Sequence, residues 1–244
     1  MWPILNNPPV KLALFQLKFS KVDMKKFNEI DYVLKNKFPF RKENIEVGIN
    51  LNNTTIPLGK AKLNGESDAK LKSYIYLTAN QKERVELLED TATYVTELPY
   101  SGWDSFLSRV DEVLSVLSSV IGTVEIKRTS IRFVNRFLFD SFESPEEYFT
   151  TLISKQGEAL YPLSQYGFRI QYDIPQTNMY AIVNQSVEND TTNQYIYVLD
   201  IDVLDRQSLL FEKETILFNL EKLRNVKNKI FFDSITEKTK TICN

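Results

Sequence analysis

The sequence predicts an α+β protein built largely from antiparallel sheet. Short segments with alternating apolar and polar residues recur along the chain, and short polar spacers separate them. Two longer segments carry apolar residues three or four positions apart, which is typical of amphipathic helices. Because a run of strands precedes each of these helices, we expect two meander-plus-helix halves, residues 1–140 and 141–244. No linker rich in Gly, Pro or Ser separates them, so they should share one continuous core.

The first half begins with a predicted strand at Lys11–Phe19, in which every second residue is apolar. A helix from Asp23 to about Phe38 should follow, with the Asp23 side chain capping its first turn. Further strands are predicted near residues 44–51, 72–78, 84–88 and 92–98. The clearest helix of this half should have Ser101 as its N-cap and end at Gly122.

Residues 127–137 form the most informative segment. A strand here places Arg128, Arg132 and Arg136 on one face, because side chains alternate with period two. The opposite face is apolar except for Asn135, which is either a buried polar anchor or a ligand donor. The alternation changes phase within the first four residues of the segment, which predicts a β-bulge there.

The second half should start with a helix at Ser144 and Pro145, a cap followed by a proline in the first turn. Strands are predicted at residues 168–174, 179–187 and 195–205. A long helix from about Phe211 to Ile235 follows. Its basic residues are expected on the exposed side, and they are Lys222, Arg224, Lys227 and Lys229.

Two carboxylates of the last predicted strand, Asp200 and Asp202, share one face. Because buried carboxylates need partners, the simplest hypothesis is that they form structural ion pairs with Arg132 and Arg136. The alternatives are an arginine-lined anion site and a pair of aspartates that hold a divalent cation. Arginines four residues apart on a strand lie about 13 Å apart, so they suit an extended anion better than a small one. The candidate binding residues are therefore Arg128, Arg132, Arg136 and Asn135.

The composition excludes several classes of chemistry. The chain contains no His, so Ser-His-Asp catalysis and His-ligated zinc are excluded. Its single Cys, Cys243, cannot form an internal disulfide, and no glycine-rich nucleotide-binding motif occurs. We therefore predict no cofactor, no metal site and no catalytic residue. The N-terminal residues lack the pattern of a signal peptide and no apolar run could span a membrane, so we expect a cytoplasmic protein.

Charge is distributed unevenly along the chain. Residues 1–84 contain 15 Lys and Arg against 8 Asp and Glu, although the formal net charge of the whole chain is −2. Either basic and acidic surfaces pair within the fold or between subunits, or a basic face binds nucleic acid or an acidic protein. A metal-dependent nuclease is a further alternative, because Asp111 and Glu125-Ile126-Lys127 imitate a pattern in which two carboxylates hold Mg²⁺.

Five segments carry a resemblance to known proteins, and they are Asn7–Val10, Tyr100–Phe106, Ile131–Arg136, Leu199–Val203 and Phe232–Lys238. In this order and spacing they resemble a sporadically distributed, uncharacterised family of prokaryotic proteins of about this length. The patchy distribution implies horizontal transfer, as for toxin–antitoxin or phage-defence genes, and the resemblance supplies no catalytic residues. We therefore expect a non-enzymatic binding or regulatory protein, antitoxin-like or defence-associated, that contacts a protein partner or a second copy of itself. The alternative is a nucleic-acid-binding protein.

Overall fold

The structure, a computed structural model, describes residues 2–49, 67–139, 145–151, 166–189 and 194–244. Its strands are β1 (Val10–Phe19), β2 (Phe40–Ile49), β3 (Ser67–Leu77), β4 (Glu83–Leu88), β5 (Thr91–Thr96), β6 (Glu125–Phe139), β7 (Tyr166–Asp173), β8 (Met179–Asn189), β9 (Tyr195–Asp205) and β10 (Leu209–Leu210). Its α-helices are α1 (Ile30–Leu34), α2 (Trp103–Ile121), α3 (Lys213–Ser234) and α4 (Glu237–Ile242), and there are 3-10 helices at Met24–Glu29 and Pro145–Glu147.

The strands form one large antiparallel sheet in the order β2-β3-β4-β5-β1-β6-β9-β8-β7, with β10 beside β6. Strands β1 to β5 occupy one side of the sheet and β6 to β9 the other, and β1 pairs with β6 in the middle. The apolar stripes of α1, α2 and α3 pack with one face of the sheet in a shared core. The prediction of a mixed helix and strand protein with a large antiparallel sheet is thus confirmed. None of the helices described packs on the opposite face.

Strand β6 lies at the centre of this sheet, and its alternation is as predicted. Ile131, Phe133 and Asn135 point toward the helices, and each is at most 2% exposed. Arg132 and Arg136 lie exposed on the other face. Full burial of a Phe or Ile side chain contributes roughly 1.5–3 kcal/mol, so this alternation fixes which face of the strand meets the core.

The predicted bulge in this strand is confirmed. Lys18 of β1 faces Arg128, but the next residue, Phe19, faces Ile126. One extra residue, Lys127, therefore lies between the two pairs, and the side chains beyond it change faces.

Helix α2 forms because one side of it is continuously apolar. Its predicted stripe is buried throughout, and consists of Phe106, Val110, Val113, Leu117 and Ile121. Gly122, with φ 65°, ends the helix as predicted. The predicted N-cap is wrong, since the cap is Gly102 rather than Ser101. Gly102 adopts φ 116°, and no side chain caps the first turn of the helix.

Two of the other predicted helices are shorter than expected. Residues 24–34 form the 3-10 helix and then the five-residue α1, although Asp23 does accept a hydrogen bond from the Lys25 N–H at 2.9 Å. Pro145 begins only a three-residue 3-10 helix, and the predicted cap Ser144 is outside the described residues. No described helix is both long and apolar enough to cross a membrane.

Candidate functional site

Four arginines lie on the side of the sheet away from the helices. Arg132 and Arg136 are exposed there, and Arg128 is partly buried. Arg169 of β7 shares this side, because it faces Asn184 of β8, which in turn faces Asp200 of β9. This surface is named the arginine face after Arg128, Arg132, Arg136 and Arg169.

The strongest contact on the arginine face joins Arg132 to Asp200. The guanidinium donates from both Nε and Nη2 to the two carboxylate oxygens, each at 2.8 Å. Asn184 donates a third hydrogen bond to the same carboxylate at 3.0 Å. Asp200 is only 5% exposed, so its charge depends on these partners. The hydrogen bond to Asp200 raises the pKa of Arg132, which therefore stays charged. Arg132 and Asp200 thus satisfy each other within the fold.

Asp202 is incompletely satisfied on the arginine face. It lies directly opposite Arg132 in the strand register, yet its buried Oδ1 has no hydrogen-bond partner within the described part of the chain. Burial raises the pKa of Asp202 to about 6, and the nearby Asp200 acts in the same direction. The charges of Arg132, Arg128 and Arg169 oppose that increase without cancelling it. Asp202 therefore keeps its proton to a higher pH than an ordinary aspartate does.

The other two candidate arginines are not paired with these aspartates. Arg128 donates from Nη2 to the Gln16 side chain, and its Nε has no partner among the residues described. Arg136 forms no ion pair with Asp200, Asp202 or any other described carboxylate. The hypothesis that both aspartates pair with Arg132 and Arg136 is therefore correct only for Asp200 with Arg132. The charges of Arg128 and Arg136 remain available to a ligand.

Asn135, the fourth candidate, is on the opposite side of the sheet from the arginine face. It is 2% exposed, and its Nδ2 donates to the backbone oxygen of Leu199 at 2.9 Å. It also lines a cavity of about 490 Å³. The walls of this cavity are the N-terminal segment 2–10, the start of α2 and the second half of α3. The structure thus separates Asn135 from the three arginines.

Lys227 lies elsewhere than its charge predicts. The predicted position is the exposed side of α3, but Lys227 lines the same cavity as Asn135. Its Nζ lies 4.3 Å from the centre of the Phe133 ring. Burial, and secondarily the charge of Arg224, lower the pKa of Lys227 to about 7. Its spacing could have revealed this position, because it follows the buried Leu220 and Leu223 by seven and four residues.

The residues of the nuclease hypothesis do not form a metal site. Asp111 is paired with Lys213 at 2.9 Å, and Glu125 accepts hydrogen bonds from Ser20 and Ser208. Among the described residues, no group of three Asp, Glu, Cys or His side chains could hold a metal ion. The nuclease hypothesis gains no support from this geometry.

The sequence matches no protein-family model, and it matches no curated protein. Function is therefore inferred from the chemistry of the arginine face and of the cavity.

Proposed function

We propose that the protein is a non-enzymatic binding or regulatory protein that binds an acidic segment of a partner protein on the arginine face. One observation carries this proposal. Arg128, Arg136 and Arg169 have no carboxylate partner among the described residues, and they lie on a side of the sheet that no described helix covers. Guanidinium groups bind carboxylates with two parallel hydrogen bonds, as Arg132 already does with Asp200.

The spacing of these cations favours an extended ligand. Arg128, Arg132 and Arg136 follow one another along β6 at intervals of about 13 Å, which a single small anion cannot span. Arg169 lies three strands to the side of this row, level with Val134 of β6. An extended acidic peptide can contact several of these positions at once.

A protein ligand fits this face better than single-stranded nucleic acid. Proteins that bind single strands stack the bases on exposed aromatic rings. On this side of the described parts of β6 to β9, the aromatic side chain is Tyr180, which is only 9% exposed. The guanidinium of Arg206 lies over its ring at 4.1 Å, so the ring is not free to stack on a base.

Binding of a fluorescein-labelled oligoglutamate peptide, followed by anisotropy, tests this function. The double variant R128Q/R136Q should bind several-fold more weakly than the wild type, whereas K229Q on the distant helix α3 should bind equally well. Because the interaction is electrostatic, the affinity should fall as salt is added. Equal binding by wild type and R128Q/R136Q would contradict the proposal. Tighter binding of oligothymidylate, lost in the same variant, would replace it with the nucleic-acid alternative.

The resemblance to a sporadically distributed prokaryotic family supports a role in a toxin–antitoxin or phage-defence system. We propose that the partner is a toxin or another component of a phage-defence system in the cytoplasm, or a second copy of the chain. Co-purification from the native host at physiological salt tests this setting, and R128Q/R136Q should lose the recovered partner. A toxin-like gene beside this one would support the same conclusion, and a monodisperse protein that recovers no partner would count against it.

We further propose that the two halves are diverged copies of one unit. In support, the first strand of each half pairs with the last strand of its own meander, β1 with β5 and β6 with β9. A helix follows each of these meanders, α2 in the first half and α3 in the second. In this arrangement β6 belongs with the second half.

A further inference from the structure

We propose that the cavity between the N-terminal segment, α2 and α3 is a second binding site, which takes a small organic anion with an apolar body. Lys227 and Arg224 would hold the anionic group. This site is independent of the arginine face, since it lies on the opposite side of the sheet.

The cavity is basic and lacks acidic residues in its lining. Two of its lining side chains, Arg224 and Lys227, are cations, and none of the described residues that line it is Asp or Glu. Glu221 lies one turn before Arg224 and pairs with it at 3.2 Å, so the charge of Arg224 is partly compensated. Lys227 has no such partner among the described residues. The uncompensated charge of the cavity is therefore that of Lys227.

The environment of Lys227 is the reason it needs an anion. Its amine lies over the Phe133 ring in a largely apolar setting, and the charge of Arg224 is nearby. A contact between an ammonium and an aromatic face offsets only part of the cost of removing the charge from water. A bound carboxylate or phosphate would supply a full opposite charge at this point, and Lys227 would then stay protonated.

Buried polar groups with unused hydrogen-bonding capacity surround the same space. Asn135 is 2% exposed and Asn228 is 8% exposed. Within the described structure, neither the Oδ1 of Asn135 nor the side-chain amide of Asn228 has a hydrogen-bond partner, and both residues line the cavity. Because both residues line the cavity, these groups can pair with a polar ligand or with solvent there.

Tyr100 adds a hydroxyl group to the lining of the cavity. Burial raises the pKa of Tyr100 to about 12, so its hydroxyl stays protonated at neutral pH. Its ring is fixed edge-on against Phe133, with 5.7 Å between the ring centres. The charges that act on Tyr100 are those of Arg224 and Asp104. A protonated hydroxyl in the lining of the cavity can donate to an anion but cannot neutralise the lysine.

The start of helix α2 also favours an anion in the cavity. Gly102 and Trp103 line the cavity, and no side chain caps the first turn of this 19-residue helix. The N–H groups of a first turn carry partial positive charge and attract anions. This end of the helix strengthens a site that the lysine and the amides already define.

The remaining walls are apolar and suit an organic body. The Trp2 ring stacks on Phe232 at 5.8 Å, and Trp103 also lines the cavity. The N-terminal segment is fixed in place by hydrogen bonds from the Arg136 N–H to Pro9 and from the Asn7 N–H to Cys243, both at 2.8 Å. A volume of about 490 Å³ is typical of pockets that hold small molecules.

Both tryptophans of the chain, Trp2 and Trp103, line this cavity, so intrinsic fluorescence reports directly on its occupancy. The probes are 3-phenylpropionate, phenyl phosphate and the neutral 3-phenylpropan-1-ol. We expect a saturable fluorescence change with at least one anion, and binding at least about tenfold weaker for the alcohol, because it lacks the charge. Which of the two anions binds more tightly identifies the head group as carboxylate or phosphate.

The decisive variant is K227M, with K222M as its matched control. Lys222 lies on the same helix and also over a phenylalanine ring, Phe218, at 4.8 Å, but it is exposed and outside the cavity. K227M should weaken anion binding by about tenfold or more, and K222M should leave it unchanged. The proposal is overturned if neither anion gives saturation up to about 10 mM, or if the alcohol binds as well as the anions. Equal anion binding by K227M and K222M would overturn it too.

Discussion

The arginine face and the cavity contain cations in opposite solvation states. On the arginine face, Arg132 is exposed and holds Asp200 with two hydrogen bonds, while Arg136 extends into solvent. In the cavity, Lys227 lies against an aromatic ring without a carboxylate among the described residues. A cation on the exposed face of the sheet stays hydrated, so it destabilises the fold little and can contact a large ligand. A cation beside the core is partly removed from water, which lowers its pKa, and only a small anion fits next to it.

The largest expected difference between the two regions is in the pH dependence of binding. Only protonated Lys227 attracts an anion, and its pKa in the empty cavity is lowered to about 7. The dissociation constant of 3-phenylpropionate, measured by tryptophan fluorescence, should rise by up to about a hundredfold between about pH 6 and pH 9. Oligoglutamate binding to the arginine face should change little over that range, because arginine stays charged. A dissociation constant of 3-phenylpropionate that does not change with pH would show that Lys227 does not bind the anion.

Loss of one arginine should separate the structural role from the binding role on the arginine face. R132A leaves the carboxylate of Asp200, 5% exposed, with Asn184 alone. Because the Arg132 side chain is 44% exposed, the loss in unfolding free energy should be moderate, about 1–3 kcal/mol. R136A should stay within about 0.5 kcal/mol of wild type. Urea denaturation at pH 7 measures both, and equal values would contradict the distinction.

Lys227 should destabilise the empty protein at neutral pH. Its pKa is about 7 in the folded chain and near 10.5 when unfolded, so the folded chain binds fewer protons between these values. The free energy of unfolding should therefore rise with pH across this window. K227M should be more stable than wild type at pH 7, by about 1 kcal/mol or about 2–4 °C in Tm, and this gain should shrink toward pH 10. A destabilised K227M with the same pH profile as wild type would show that the amine is solvated.

The smallest expected effect concerns Asp202. Its folded pKa of about 6 exceeds its ordinary value of 3.8, so the folded chain binds more protons between these two values. Stability contributed by this group is lost as the pH rises through that range. D202N should therefore stabilise the protein at pH 7 by about 0.5–1 kcal/mol and give no gain near pH 4. Asp173 is exposed on the same side of the sheet, so D173N is the matched control. Thermal unfolding at both pH values checks the difference.

Much of the arginine face could be predicted from the sequence because strand alternation is local. The pattern from Ile131 to Phe137 placed the arginines on one side and Asn135 on the other, and the change of phase located the bulge. Which aspartate pairs with Arg132 depends on side-chain geometry across two strands. Asp202 is directly opposite Arg132, but the bidentate contact is made diagonally with Asp200. Alternation cannot determine that choice.

The cavity could not be predicted because it depends on contacts between distant segments. The N-terminal residues reach it through contacts that are distant in sequence, among them the hydrogen bonds to Arg136 and Cys243 and the stacking of Trp2 on Phe232. The charge of Lys227 predicts the exposed side of α3, although its spacing from Leu223 places it on the buried stripe. Four of the five segments that carry the family resemblance contribute residues to this cavity, namely Pro8 and Pro9, Tyr100 to Trp103, Asn135 and Phe232. In this chain, helical position indicated the surroundings of the lysine better than its charge did.

The central position of β6 has a consequence for synthesis on the ribosome. Its first partner, β1, is translated more than a hundred residues earlier, whereas its second partner, β9, follows only after residue 194. At about 5–20 residues per second, the nascent chain holds one edge of β6 unpaired for several seconds. An unpaired strand edge can form hydrogen bonds with strands of other chains, and charged side chains on the strand disfavour that association. Arg128, Arg132 and Arg136 are charged side chains of this kind, so we expect them to reduce aggregation of the nascent chain before β9 is made.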